Sequence, residues 1–188
     1  MKVAGGARRH RPRRVLVLGG ARSGKSAYAE SRLRTAPAVL YVAPGAIPGP
    51  DDAEWAARVA LHQARRPAAW TTAETTDLEA ILAADGPPVL IDCLSTWLAA
   101  VMDDCGIWTD RPGADAALTG RVSGLAAAWS ASRRAVVAVS SEVGLGIVPA
   151  TVSGRRFRDE LGRLNAAVAA GAHEVWFVTA GIARAVKP

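Results

Sequence analysis

Residues 15–26 read VLVLGGARSGKS. Four apolar residues lead straight into the pattern G-x-x-x-x-G-K-S, closed by Gly19, Gly24, Lys25 and Ser26. That order describes a strand ending in a turn whose backbone N–H groups point inward, followed by the N-terminus of a helix. Both features present donors and positive potential to a polyphosphate. Gly19 and Gly24 supply backbone angles and a close approach that a Cβ would block. Lys25 carries charge to the β- and γ-phosphates, and the Ser26 hydroxyl is placed to ligate Mg²⁺. The stretch AYAESRLR that follows is a helix candidate. A chance Gly-rich loop would leave the Lys25–Ser26 pair unexplained, so the motif predicts binding of a nucleoside triphosphate.

Further along lie other groups able to do chemistry. Asp92 ends the run PVLID. A carboxylate at a strand tip beside a phosphate loop suits a second Mg²⁺ contact. It also suits the N-cap of a helix over LSTWLAAVM. The metal or nucleotide role is favoured, and both can hold together. His62 sits in DDAEWAARVALHQARRP. With Asp51 or Asp52 as a cap, Trp55, Val59 and His62 fall on one helical face. A lone histidine on such a stripe is ordinarily a half-buried core residue. This one has Arg58 a turn before it and Arg65 and Arg66 a turn after. Neighbouring cations disfavour imidazolium, and guanidiniums grip phosphate oxygens in pairs. A neutral imidazole in that company is a candidate nucleophile toward phosphorus. The residues alone leave the two readings level. Glu74 follows a short strand candidate in WTTAE and has the acceptors for guanine N–H groups or a ribose hydroxyl, but the residues alone favour a solvated helix-start carboxylate. Glu142 opens EVGLGIVP, whose glycines permit a close backbone approach.

These groups need a scaffold. The expected strands Val15–Leu18, Val39–Ala43, Val89–Asp92, Val136–Ser140 and Val175–Thr179 are apolar almost throughout, without in/out alternation. Strands read that way when both sheet faces are covered. Between them lie helical stretches. Residues 115–133 are Ala-rich, and residues 155–170 set Phe157, Leu161, Leu164 and Val168 in one stripe closed by Gly171. The alternation predicts an α/β fold: a doubly wound, mostly parallel sheet with helices on both faces and ligands beyond the strand C-termini. Residues 44–50, rich in Pro and Gly, read as a loop.

The chain has 188 residues and a formal net charge of +6. That length is one domain's worth, enough for a core without metal or disulfide support. Lys2, Arg8, Arg9, Arg11, Arg13 and Arg14 supply six positive charges before the first strand, and that segment has no acid. The division expected is therefore a basic, disordered extension over residues 1–14 and one domain over 15–188. The body is near neutral and lacks an aromatic stacking platform, which argues against a nucleic-acid partner. No run approaches a signal peptide or a membrane helix. Cys93 and Cys105 lie far from a C-x-x-C spacing, as in a reduced cytoplasmic protein.

Taken together, GGARSGKS, VLYVA, AARVALHQARRPAAWTTAE, VLIDCLSTW, SSEVGLGIVP, FRDELGRLN and HEVWFVTAGI closely resemble the bifunctional adenosylcobinamide kinase/adenosylcobinamide-phosphate guanylyltransferases of cobalamin biosynthesis. These stretches occur in family order and cover most of residues 15–183. The resemblance implies a P-loop NTPase-like domain, assembled as a homotrimer, with ATP and GTP as substrates. It implies phosphorylation of adenosylcobinamide, then GMP transfer from GTP through a GMP-histidine intermediate to give adenosylcobinamide-GDP. The family's R-x-x-x-H-x-x-x-R-P context falls on Arg58, His62, Arg66 and Pro67, so His62 inherits the nucleophile's role, with Lys25 as the other catalytic group. The implied nucleotide contacts fall on Gly19, Gly20, Ala21, Arg22, Ser23, Gly24, Lys25 and Ser26. They continue on Ala43, Pro44, Gly45, Gln63, Ala64, Arg65, Arg66, Glu74 and Asp92, with Ser26 and Asp92 on Mg²⁺. Leu61, Ala100 and Ser141 depart from polar residues common in the family. Two other classes remain as alternatives: a monofunctional P-loop small-molecule kinase and a non-enzymatic GTP-binding protein. The chain shows no N-K-x-D guanine motif of ordinary GTPase switches.

Overall fold

Among the described residues seven strands form one sheet in the order β3-β2-β4-β5-β1-β6-β7. They are β1 (Arg14–Gly19), β2 (Val39–Ala43), β3 (Trp70–Glu74), β4 (Val89–Asp92), β5 (Val136–Ser141), β6 (Glu174–Thr179) and β7 (Ile182–Lys187). All neighbouring pairs are parallel except β6 with β7. A computed structural model of the chain describes residues 13–45, 57, 59–60, 66–109 and 111–188. The helices among them are α1 (Lys25–Ser31), α2 (Leu78–Ala83), α3 (Leu94–Cys105), α4 (Ala114–Ala131) and α5 (Val152–Gly171).

The strands lack polar alternation because consecutive side chains enter different cores. Leu16, Val42, Ile91 and Ala138 join the core beneath α2, α3, α4 and α5. Val15, Val17, Tyr41, Leu90 and Val139 join the opposite core, which Ala29 and Leu33 close from the α1 side. Each fully buried Val, Leu or Ile contributes roughly 1.5–3 kcal/mol. A one-residue slip would exchange the two cores wholesale, and that pins the register.

On α5, Leu161, Leu164 and Val168 are buried as the stripe predicts, and Asn165 is buried with them. Phe157 is only half-buried, and Gly171 is the helix's last residue rather than its stop, with Ala172 as C-cap. Thr151 caps the other end, its hydroxyl accepting from the Gly154 N–H at 3.1 Å. The structure adds β7, which the pattern did not reveal, and shows WTTAE to be a true edge strand. β1 begins at Arg14, one residue before the expected Val15. Arg13 pairs with Glu174 at 2.7 Å.

Candidate active site

Five strand tips meet at one edge of the sheet: Glu74, Ala43, Asp92, Ser141 and Gly19. In a parallel sheet this C-terminal edge collects ligands. At Gly19 the chain leaves β1 and turns. Ser23 N–H donates back to Gly20 O at 3.3 Å, and Tyr28 N–H takes up Gly24 O at 3.0 Å. Gly24 is the N-cap of α1 with φ 91°, a left-handed angle that an L side chain resists. Arg22 also has positive φ, 54°, and non-glycine residues in that region concentrate at functional sites. No acidic side chain occupies the first turn of α1, so its N-terminal field faces the loop unopposed. Lys25 Nζ lies over the loop, donating to Gly20 O at 3.2 Å. Ser23 Oγ is buried and has no hydrogen-bond partner among the described residues.

The loop is braced from two sides. Glu142 N–H, leaving β5, donates to Gly19 O at 3.1 Å. Gly181 N–H donates to Ser23 O at 2.8 Å. Gly181 and Ala180, with φ 79° and 51°, form the two-residue turn of the β6–β7 hairpin, because Thr179 pairs directly with Ile182. Sequence reasoning missed this brace. The positive-φ glycine after V-W-F-V-T was the available signal, although Ala-Gly is not a strong hairpin pair.

Asp92 does close β4, but it does not cap the following helix. The N-cap of α3 is Cys93, which exchanges a capping box with Thr96. The cap of α3 is thus supplied by Cys93 and not by the Asp92 carboxylate. Its Oδ2 accepts from the Tyr41 hydroxyl at 3.0 Å. Strand β5 stands between Asp92 and the phosphate loop, so the two lie across the sheet edge rather than side by side. Ser26 in the first turn of α1 and Asp92 offer hydroxyl and carboxylate oxygens, the donors a hard divalent cation takes alongside phosphate oxygens. No cluster of three His, Cys, Asp or Glu exists among the described residues. A cation shared with a triphosphate does not need one.

Arg66 stacks on the Tyr41 ring, its guanidinium carbon 3.5 Å from the centroid, and donates from Nη1 to Thr72 Oγ1 at 2.9 Å. Burial and the Asp92 carboxylate push the Tyr41 phenol far above its ordinary range, against the pull of Arg66. The phenol is thus a fixed donor. Ala43 lies level with Glu74, both at the edge of the sheet next to Pro44 and Gly45. Glu74 is exposed and ends β3; it does not start a helix, since Asp77 caps α2. His62, Gln63, Ala64 and Arg65 lie outside the described residues, as does Arg58. Ala57, Val59 and Ala60 are helical, in keeping with the helix expected there. Beside the tip of β5, Ser141 bonds to Ser95 at 3.2 Å, while Asn165 ties Ser140 Oγ (2.6 Å) to Ser141 O (3.1 Å). Tyr41 and Asn165 were not singled out from sequence; a phenol in an otherwise aliphatic strand was the clue.

Comparison with known proteins bears on the chain as a whole. The family model described as cobinamide kinase / cobinamide phosphate guanyltransferase matches residues 15–186. A Salmonella typhimurium protein named bifunctional adenosylcobalamin biosynthesis protein CobU is 40% identical over 183 residues, 92% of this chain and 99% of its own length. The Escherichia coli protein of the same name is 39% identical over the same spans. A Pseudomonas aeruginosa protein, named with CobP in place of CobU, is 37% identical over 93% of this chain and 97% of its own. Among solved structures, a type III secretion ATPase superposes with TM-score 0.50 at 13% identity, covering 89% of this chain and 51% of that one. That likeness supports the fold alone: a mostly parallel α/β sheet.

Proposed function

The chain belongs to the cobinamide kinase / cobinamide phosphate guanyltransferase family, and from that premise we propose that it carries out two successive transfers onto a corrinoid. In the first, the aminopropanol hydroxyl of adenosylcobinamide attacks the γ-phosphorus of ATP or GTP. The β–γ bridging P–O bond breaks, the nucleoside diphosphate leaves and the hydroxyl proton is released. In the second, a ring nitrogen of His62 attacks the α-phosphorus of GTP and pyrophosphate departs. The phosphate oxygen of adenosylcobinamide phosphate then displaces the histidine, breaking the P–N bond and giving adenosylcobinamide-GDP. Splitting one displacement into two lowers each barrier.

The observation that carries this reading is the match to relatives named as bifunctional over 92% of the chain. The phosphate cradle at the sheet edge supports it. In this reading, residues 19–26 hold the triphosphate, and Lys25 and Arg66 offset its charge. Ala43, Pro44, Gly45, Gln63, Ala64, Arg65 and Glu74 complete the nucleotide contacts. Ser26 and Asp92 hold Mg²⁺, which when bound neutralises charge on the phosphates. The enzyme works in the cytoplasm as a homotrimer. Leu145, Ile147 and Val148 after β5, with Ile182 and Val186 on β7, are exposed apolar side chains that favour a partner surface. Among the described residues no helix is long and apolar enough to cross a membrane.

The test is incubation with α-labelled GTP followed by peptide mapping. Acid-labile label on the peptide carrying His62, lost in His62→Ala, is expected. Kinase turnover without any adduct would leave a monofunctional P-loop kinase. GTP binding with neither adduct nor turnover would leave a non-enzymatic GTP-binding protein.

A further inference from the structure

No role is expected of Tyr41 from the sequence, yet it sits between the residues that the proposed reaction needs held. In register it stands level with Thr72 on β3 and Leu90 on β4. Asp92 lies two residues past Leu90, so Thr72, Tyr41 and Asp92 share one face of the sheet. Across that face runs a continuous row. Thr72 Oγ1 accepts from Arg66 at 2.9 Å, Arg66 stacks on the Tyr41 ring at 3.5 Å, and the Tyr41 hydroxyl donates to Asp92 at 3.0 Å. Tyr41 is 1% exposed, so the row is anchored in the core rather than hung from the surface. Arg66 Nε is buried and has no hydrogen-bond partner among the described residues. A guanidinium held over a ring at this distance keeps that N–H edge in one direction, as bidentate phosphate recognition requires.

We propose that Tyr41 is a positioning residue whose ring sets the plane of Arg66 and whose hydroxyl sets the orientation of Asp92. The roles of Arg66 and Asp92 rest on the function proposed above. Arg66 closes the segment that carries His62, and Asp92 is the acidic tip of β4. One side chain therefore fixes the relation between the nucleophile's anchor and the nucleotide-side carboxylate. Here ring and hydroxyl serve different partners, so the two roles separate by substitution.

The experiment compares wild type, Tyr41→Phe and Tyr41→Leu in three measurements: thermal unfolding, GTP-analogue affinity across a Mg²⁺ titration, and the rate of GMP attachment at saturating GTP and Mg²⁺. Tyr41→Phe keeps the stack and loses the hydrogen bond to a charged acceptor. Its Mg²⁺ midpoint is expected to rise about tenfold, while its saturated attachment rate stays within about twofold of wild type. Tyr41→Leu also loses the stack, and its saturated rate is expected to fall by about tenfold or more. Arg66→Lys keeps the charge without the planar fork and is expected to show the same fall in rate even if Tyr41→Leu does not fold. Equal Mg²⁺ midpoints in wild type and Tyr41→Phe overturn the proposal. So does a loss of affinity and rate that merely follows thermal stability. If wild type forms no adduct while the Tyr41→Phe midpoint still shifts, guanylyl transfer fails and the positioning of Asp92 stands.

Discussion

Two adjacent glycines in the phosphate loop differ sharply in what surrounds them, and that difference has a measurable consequence. A Cβ built on Gly19 would lie 2.5 Å from Ser23 Oγ and 2.6 Å from Val178 O. The serine can rotate. The carbonyl cannot, because Val178 is the residue of β6 that pairs with Gly19. A separation of 2.6 Å is about 0.9 Å inside the ~3.5 Å at which carbon sits in comfortable contact. Gly19→Ala must therefore part the tips of β1 and β6 or push the loop outward. Overpacking of this kind costs about 1–3 kcal/mol, which for a chain of this length lowers Tm by roughly 2–4 °C per kcal/mol. A Cβ on Gly20 meets nothing within 4 Å, so Gly20→Ala should stay within about 0.5 kcal/mol of wild type. The assay is calorimetric melting of both variants beside wild type, with GTP affinity by titration calorimetry on Gly19→Ala. A displaced loop should weaken GTP by about tenfold or more. If Gly19→Ala melts within about 1 °C of Gly20→Ala and binds GTP like wild type, the close approach that we assign to Gly19 is wrong.

Glu174 gives a pH signature. Burial pushes its carboxyl up, but the Trp176 indole, Arg32 and Arg13 outweigh that and hold it below its ordinary value of 4.5. A group depressed on folding adds stability that is fully present above the unfolded value and lost as pH falls through the folded one. The melting gap between wild type and Glu174→Gln should thus correspond to about 2 kcal/mol above about pH 5.5 and narrow below pH 4.5; a gap unchanged down to about pH 3 would refute the assignment. Asn165→Leu leaves the Ser140 hydroxyl and Ser141 carbonyl without their partner and should cost about 2–4 kcal/mol in denaturant melts. Adding Ser140→Ala should recover part of that loss; no recovery would mean that the cost lies elsewhere. Among the described residues Lys25 makes one hydrogen bond, to Gly20 O, so in Lys25→Ala melting of the free protein should hardly change. Its GTP affinity should fall by about 10–150-fold, and a fall in stability instead would assign Lys25 a folding role.

The sequence disclosed those parts of the fold whose residues answer to two cores at once. Val39–Ala43 and Val89–Asp92 were legible to the residue because both faces of each strand are packed, leaving an unbroken apolar run. Edge strands lack that pressure. In β3 only Trp70 is buried, and in β7 no residue is, so Ile182–Lys187 carries no pattern strong enough to distinguish it from a tail. The phosphate loop was legible because its chemistry is local: eight consecutive residues supply turn, amides, lysine and hydroxyl. Asp92 was legible as a strand tip, yet its partner was not. The choice between capping a helix and facing a ligand depends on the backbone at Cys93, which takes the cap itself.

What escaped is lateral. Nothing in V-L-Y-V-A says that β2 lies between β3 and β4; that order follows from crossovers made elsewhere in the chain. Only once those three strands are neighbours can Thr72, Arg66, Tyr41 and Asp92 form a row. Its members come from positions 41, 66, 72 and 92, and no spacing rule links them. The physical reason for expecting such a row is nonetheless general. A carboxylate at the end of a buried strand must be solvated, paired or hydrogen-bonded, and on a parallel sheet the reachable donor is a side chain on the adjacent strand, same face, a residue or two behind. Tyr41 is the one residue of β2 on that face with a hydroxyl. A strand that ends in an acid and pairs with a strand carrying a lone phenol is therefore a signal that can be sought in sequence once strand order is known.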